Sequence, residues 1–175
     1  SKLNRNSRTR ARATGSPARD GVPNHGLLGI TSDLRKRALE LHVETTADGE
    51  KLAVSVALKN VTAGHTVPSG LPERRIVVRV RAKDSLGAEL GAQMHAYGRV
   101  LVDASGAEVP FWKATRVGSD SRIPPGGSSL DVFDFRAPAA GTIEIDVLYR
   151  TVSEAVAQQL GIAVGEQPLI HATMP

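Results

Sequence analysis

The sequence predicts an all-β fold, an antiparallel β-sandwich, and three observations predict it. From residue 37 onward apolar and polar residues alternate with period two in one short segment after another. Turn signals rich in Gly, Pro, Asp and Ser separate those segments at regular intervals. The segments are apolar on one face only, whereas strands of a parallel sheet covered by helices are apolar on both.

Taken in order, the first elements form a hairpin. In residues 38–46, Leu39, Leu41 and Val43 alternate with Glu40, His42 and Glu44. After Ala47-Asp48-Gly49 the alternation resumes as Leu52, Val54, Val56 and Leu58, so an Asp-Gly turn joins two half-buried strands. A Gly/Pro-rich loop over 60–73 follows, then a strand over 75–82. There Ile76, Val78 and Val80 face one way, and Val77, Arg79 and Arg81 the other. Further strands are expected at 96–102, 109–115, 129–135 and 142–150. Asp84-Ser85-Leu86-Gly87, Ala104-Ser105-Gly106, Ile123-Pro124-Pro125-Gly126-Gly127 and Pro138-Ala139-Ala140-Gly141 supply the turns. Seven or so such strands read as an immunoglobulin-like or fibronectin-III-like sandwich. Two segments read as helical. Residues 32–39 have Ser32 as an N-cap, though they could also lead straight into the first strand. Residues 152–160 are good helix formers and end at Gly161. The closing residues 163–175 are expected to be irregular, with Pro168 and Pro175 limiting any long element. The organisation is an extended basic arm or linker over 1–30 and a sandwich domain over 31–175.

The chain has 175 residues, enough for one core, and no cysteine. Without cysteine there is no disulfide scaffold, no Cys-ligated metal or iron–sulfur site, no thiol nucleophile and no covalent c-type haem, which needs C-x-x-C-H. No run of eighteen apolar residues exists, so no membrane span is expected. The chain begins at Ser1 rather than Met, which we read as a processed or truncated product. The net charge of +4 and pI near 9.8 belong to the tail. Residues 1–20 hold Lys2, Arg5, Arg8, Arg10, Arg12 and Arg19 against Asp20 alone, while the remainder has sixteen basic and seventeen acidic side chains. With Leu3 and Val22 as the only large apolar residues before Leu27, the tail cannot offset the entropy of folding by itself. It reads as a solvated leader or as an arm docked on an acidic protein surface, with Arg5, Arg8, Arg10 and Arg12 as its contacts. Nucleic acid is not expected, because no aromatic residue interleaves the arginines to stack on bases.

Five histidines are the candidate ligands: His25, His42, His65, His95 and His171. None stands at helical i, i+4 spacing or in H-x-H. His42 lies on a polar strand face and reads as a surface residue. His95 follows Met94, but the blue-copper arrangement needs a cysteine as well. His171 falls near the terminus, where order is often lost. His65 sits in a loop with two glycines and a proline; it would either hold that loop through its ring nitrogens or serve as a ligand. Ser69, four residues on, is in no nucleophile elbow. Asp131 with Asp134 and Glu144 with Asp146 alternate with apolar residues, as a solvated sheet face does. Catalysis is not expected.

The stretch Asn60-Val61-Thr62-Ala63-Gly64-His65-Thr66-Val67-Pro68-Ser69-Gly70-Leu71-Pro72-Glu73-Arg74, followed by an apolar strand and Asp84-Ser85-Leu86-Gly87, resembles a known family. It is similar to the haem-free β-domain at the C-terminal end of many multihaem c-type cytochromes. There a strand runs into N-x-x-A-G-H-x-x-P-T/S-G-x-P-x-R, then an apolar strand and D-x-x-G. Arg122–Gly126, Phe133-Asp134-Phe135 and Val147–Arg150 resemble that family's closing hairpins. Asn24-His25-Gly26-Leu27-Leu28-Gly29 looks like a degraded H-x-F-x-G segment. The likeness spans about residues 24–150, and the G-H-x-x-P-S-G-x-P-x-R core is its most specific part. Family members carry C-x-x-C-H sites before this domain; this chain carries none.

The resemblance implies a periplasmic or extracellular setting and a multihaem cytochrome or other haem-bearing chain as partner. The expected function is that of a non-catalytic accessory subunit or fragment in an electron-transfer assembly. It would bind no cofactor covalently but contact the partner's haem c. An axial ligand requires only an imidazole nitrogen over the iron, so another chain can supply it. His25 is the first candidate and His65 the second. The alternative is a stand-alone periplasmic module binding a metal or small ligand through a loop pocket that contains His65.

Overall fold

The alternation becomes two antiparallel sheets packed face to face, in a computed structural model that describes residues 32–136 and 141–175. The expected all-β sandwich is the observed fold. The elements run α1 (Ser32–Ala38), β1 (Leu39–Asp48), β2 (Lys51–Asn60), β3 (Arg75–Lys83), β4 (Glu89–Val102), β5 (Arg116–Asp120), β6 (Ser128–Arg136), β7 (Thr142–Arg150), α2 (Glu154–Leu160) and β8 (Glu166–Met174). One sheet has the order β1-β2-β6 and the other β5-β4-β3-β7-β8. That is an immunoglobulin-type arrangement in which two extra strands, β4 and β5, extend the larger sheet and the strand usually called D is missing.

The β1–β2 hairpin turns where the Asp-Gly signal places it. Asp48 pairs with Lys51, and Gly49 takes the first turn position at φ +59°, which favours glycine. Val54, Val56 and Leu58 of β2 and Val78, Val80, Ile145 and Val147 of the facing sheet are fully buried. Each such side chain contributes roughly 1.5–3 kcal/mol by leaving water. Between the sheets on the β4/β6 side the closure is polar. Tyr97 donates its hydroxyl to the Asp131 carboxylate, and Gln93 donates to the Asp134 carbonyl. Asp131 is therefore no residue of a solvated face: its side chain is 15% exposed and turned into the sandwich.

On the outer face of the larger sheet the alternating charges pair across strands. Lys83 meets Glu144 at 2.6 Å and Arg81 meets Asp146 at 2.6 Å. The Glu144 carboxyl is held below its ordinary range by its hydrogen bond from Lys83. Glu144 and Asp146 thus belong to a ladder of ion pairs, the cross-strand use of opposite charge.

Four expectations need correction. Residues 109–115 are not a strand: Pro110 has no N–H to give a ladder, and Phe111–Lys113 form one 3-10 turn before β5 begins at Arg116. Residues 163–175 are not irregular, because Glu166–Met174 is β8, paired to β7 at the sheet edge. An edge strand tolerates Pro168, and the register shifts beside it, between Val147 and Leu148. β4 begins at Glu89, seven residues earlier than 96. His171 accordingly sits within β8, with Nδ1 2.8 Å from the Asp146 carboxylate.

Both expected helices form. The Ser153 hydroxyl caps α2 by accepting from the Val156 N–H at 3.3 Å, and Gly161 ends it at φ 64°. Among the described residues, no helix is long and apolar enough to cross a membrane.

Candidate functional site

The loop between β2 and β3 lies over one end of the sandwich, and Asn60 is its anchor. Asn60 is fully buried at the last position of β2. Its Nδ2 donates to the carbonyls of His65 (2.8 Å) and Ile123 (3.2 Å), while its Oδ1 accepts from the Ala63 N–H (3.2 Å). Its backbone bonds Gly126 and Gly127. One amide thus satisfies the polar groups of a tight loop and ties that loop to the 123–127 turn. Val67 and Ile123 exchange two backbone hydrogen bonds of 2.8 Å across the same gap. Val67 and Pro68 are buried, joined by a cis peptide.

His65 projects from this anchored backbone and is exposed. Its Nδ1 lies 3.0 Å from the Thr66 carbonyl oxygen. A carbonyl only accepts, so the contact selects the tautomer with the proton on Nδ1, and Nε2 carries the free lone pair. A ring so tied to a backbone carbonyl is the arrangement that ligating histidines adopt. Downstream, Gly70 takes φ +83°, and a Cβ there would stand 2.4 Å from the Arg74 guanidinium. Glycine lets Arg74 lie against the loop and donate to the Ser69 carbonyl at 3.0 Å. Arg74 has no carboxylate partner among the described residues.

Beneath His65 and Arg74 is a cavity of about 280 Å³ whose floor is core: Leu39, Val67, Ile76, Tyr149 and Leu169. Arg35 of α1 closes its far side, stacked 4.0 Å over the Tyr149 ring and donating to Gln167 at 2.6 Å. Among the described residues no acidic side chain lines the cavity. An apolar floor under a cationic rim can take an apolar group carrying a carboxylate, or the edge of a partner bearing one.

His25, Arg5, Arg8, Arg10 and Arg12 lie outside the described residues. His42 is exposed on the outer face of β1, 3.3 Å from Glu44. His95 is turned toward Asp131 (3.6 Å), while Met94 packs its sulfur 3.9 Å from Arg150, so the pair does not converge. Among the described residues no three His, Asp or Glu side chains are grouped to hold a metal ion, so His65 has no such set around it. The cavity's other members, Arg35, Arg74 and Tyr149, come from three separate elements. Arg74, within the P-S-G-L-P-E-R run, and Tyr149, within Val147–Arg150, carried a sequence signal; Arg35 carried none.

No family model matches the chain, and no curated protein matches it. Among solved structures it is similar to a penta-haem cytochrome c552 from Thermochromatium tepidum, with a TM-score of 0.73 and 20% identity. The match covers 83% of this chain and 41% of that one, so the chain spans about two fifths of the cytochrome's length. At this identity the likeness is one of fold. A second match, β-glucosidase 3B from Thermotoga neapolitana, has a TM-score of 0.33 and 15% identity and carries no argument.

Proposed function

We propose that the chain is a non-catalytic, haem-free module that packs on a multihaem c-type cytochrome in a periplasmic or extracellular electron-transfer assembly, as a subunit or as part of a longer chain. The observation that carries the reading is its fold, shared over 83% of its length with a stretch of a penta-haem cytochrome, in a chain without cysteine. Any haem it serves is then held covalently by C-x-x-C-H sites outside these residues.

His65 fits the role of axial ligand to such a haem. Its Nδ1 is engaged by Thr66, its Nε2 is open, and Asn60 holds the peptide that carries it. Bound there, haem would supply the redox chemistry; this chain's residues would orient one imidazole and shield a haem edge. Arg74 would meet a carboxylate of the partner, and the tail arginines Arg5, Arg8, Arg10 and Arg12 would lie along its acidic surface. His25 is the other candidate ligand.

The test is made on the assembled complex. His65→Ala is expected to change the spectrum and potential of one haem, and His25→Ala to leave both as they were. If both titrations match the native complex, the ligand role fails. If native material has no Soret band and captures no haem protein, the whole reading fails. A second reading, a stand-alone metal- or small-ligand-binding module, draws on the cavity itself; it requires saturable uptake by the chain alone that His65→Ala abolishes.

A further inference from the structure

Sheet edges bear unpaired N–H and C=O groups, and proteins usually guard them with charge, proline or shortness. Three of the four sheet-edge strands here are guarded. β1 carries Glu40 and Glu44, β6 carries Asp134 and Arg136 on its outer face, and β8 carries Pro168. At the fourth edge, β5 covers β4 only over Arg99–Val102. The first half of β4 therefore forms an edge of its own. Across Leu90-Gly91-Ala92-Gln93-Met94-His95-Ala96 it has no strand partner on its outer side among the described residues, no proline and no Lys, Arg, Asp or Glu. Leu90 and Met94 are 43% and 56% exposed.

We propose that this edge pairs with the same edge of a second copy of the chain, antiparallel about a two-fold axis at Gln93, joining the two larger sheets into one. Two features of the segment single out this occupant. The two-fold keeps outer face with outer face, so residues of like parity must pair. With the axis at Gln93, Leu90 faces Ala96 of the other copy, Ala92 faces Met94, and Gly91 faces His95; apart from Gln93, which meets its own copy on the axis, every large side chain meets a small one. With the axis one residue earlier, Leu90 would face Met94, and one residue later, Met94 would face itself. No fixed charge opposes its like anywhere along the paired stretch. The inference stands apart from the haem reading, since the β4 edge shares no residue with the His65 cavity.

The experiment is sedimentation equilibrium on the full chain over a wide concentration range. The native chain is expected to form dimers. In A92E/M94E each new carboxylate faces its like across the axis, twice over. Within one copy the two carboxylates lie beside Arg81 and Arg79, which the register places opposite them, so the monomer keeps its fold and its melting curve. The dimer dissociation constant should rise by roughly tenfold or more. In A92K/M94E the register sets opposite charges face to face, and the dimer should return. A native chain that stays monomeric at every concentration overturns the proposal. So does A92E/M94E dimerising as the native chain does, or A92K/M94E staying monomeric.

Discussion

Replacing Asn60 tests whether one buried amide holds the candidate site in place. Asn60→Ala removes three hydrogen bonds at once, to the His65 carbonyl, the Ile123 carbonyl and the Ala63 N–H, at a residue with no exposed surface. The bond to Ile123 is buried and the other two are part-buried; at about 1 kcal/mol for each bond lost, the total is roughly 3 kcal/mol. For a chain of this length that is about 6–12 °C in Tm. Asn60→Asp keeps the volume and the acceptor but turns the donor into an oxygen facing two carbonyls. The new carboxyl would then bind its proton more tightly in the folded state than in the unfolded one. Stability in this variant is fully present at acid pH, where the acid can donate, and is lost as pH rises through the raised value. Urea titrations at two pH values measure both effects, with an unchanged slope showing that the denatured state is comparable. Hydrogen exchange at Ala63 and Val67 should quicken in step. An Asn60→Ala loss below about 1 kcal/mol, or an Asn60→Asp variant indifferent to pH, would refute the anchor argument.

Three further outcomes follow from local geometry. Gly141→Ala should cost about 1–3 kcal/mol in urea unfolding, because its Cβ would stand 2.7 Å from the Ser85 backbone; a neutral result would mean that the turn yields. Ser153→Ala should cost about 1 kcal/mol by uncapping α2 and lower helical ellipticity; a change below a few tenths would show the cap to be idle. Burial, then hydrogen bonding to Asp131, raises the Tyr97 phenol above its ordinary value of 10.0. Since the folded value exceeds the unfolded one, this stabilisation is present below pH 10 and fades as pH climbs further. In Tyr149→Phe the remaining phenol should ionise only as the fold is lost; a tyrosinate band growing at pH 10 in the folded protein would contradict it.

The period-two pattern was enough to predict β1, β2, β3, β6 and β7, since one-sided burial writes alternation directly into the chain. The same rule misled where burial was absent or where proline dominated. Residues 89–95 alternate only weakly, Leu90, Ala92 and Met94 against Glu89, Gly91, Gln93 and His95, because that half of β4 lies largely exposed and burial does not select large apolar residues there. Residues 109–115 were expected as a strand, but Phe111 and Trp112 stand 48% and 58% exposed on a turn behind Pro110. Pro168 argued against a strand that forms nonetheless, because at an edge its missing N–H is not needed.

The site divides in the same way. The Asn60–Arg74 run, its glycines and His65 were all legible as a loop of specialised backbone, because those constraints act between near neighbours. That Asn60 reaches Ile123, that Arg35 and Tyr149 close a cavity beside Arg74, and that half of β4 has no strand on its outer side among the described residues are facts of strand order. The sequence by itself determined the sandwich class, the charge split and the lack of any C-x-x-C-H motif in these residues. Only the tertiary structure decided what surrounds His65 and which edge stays open. Local periodicity records which side of a strand is buried, and only the pairing of distant strands sets what lies against it.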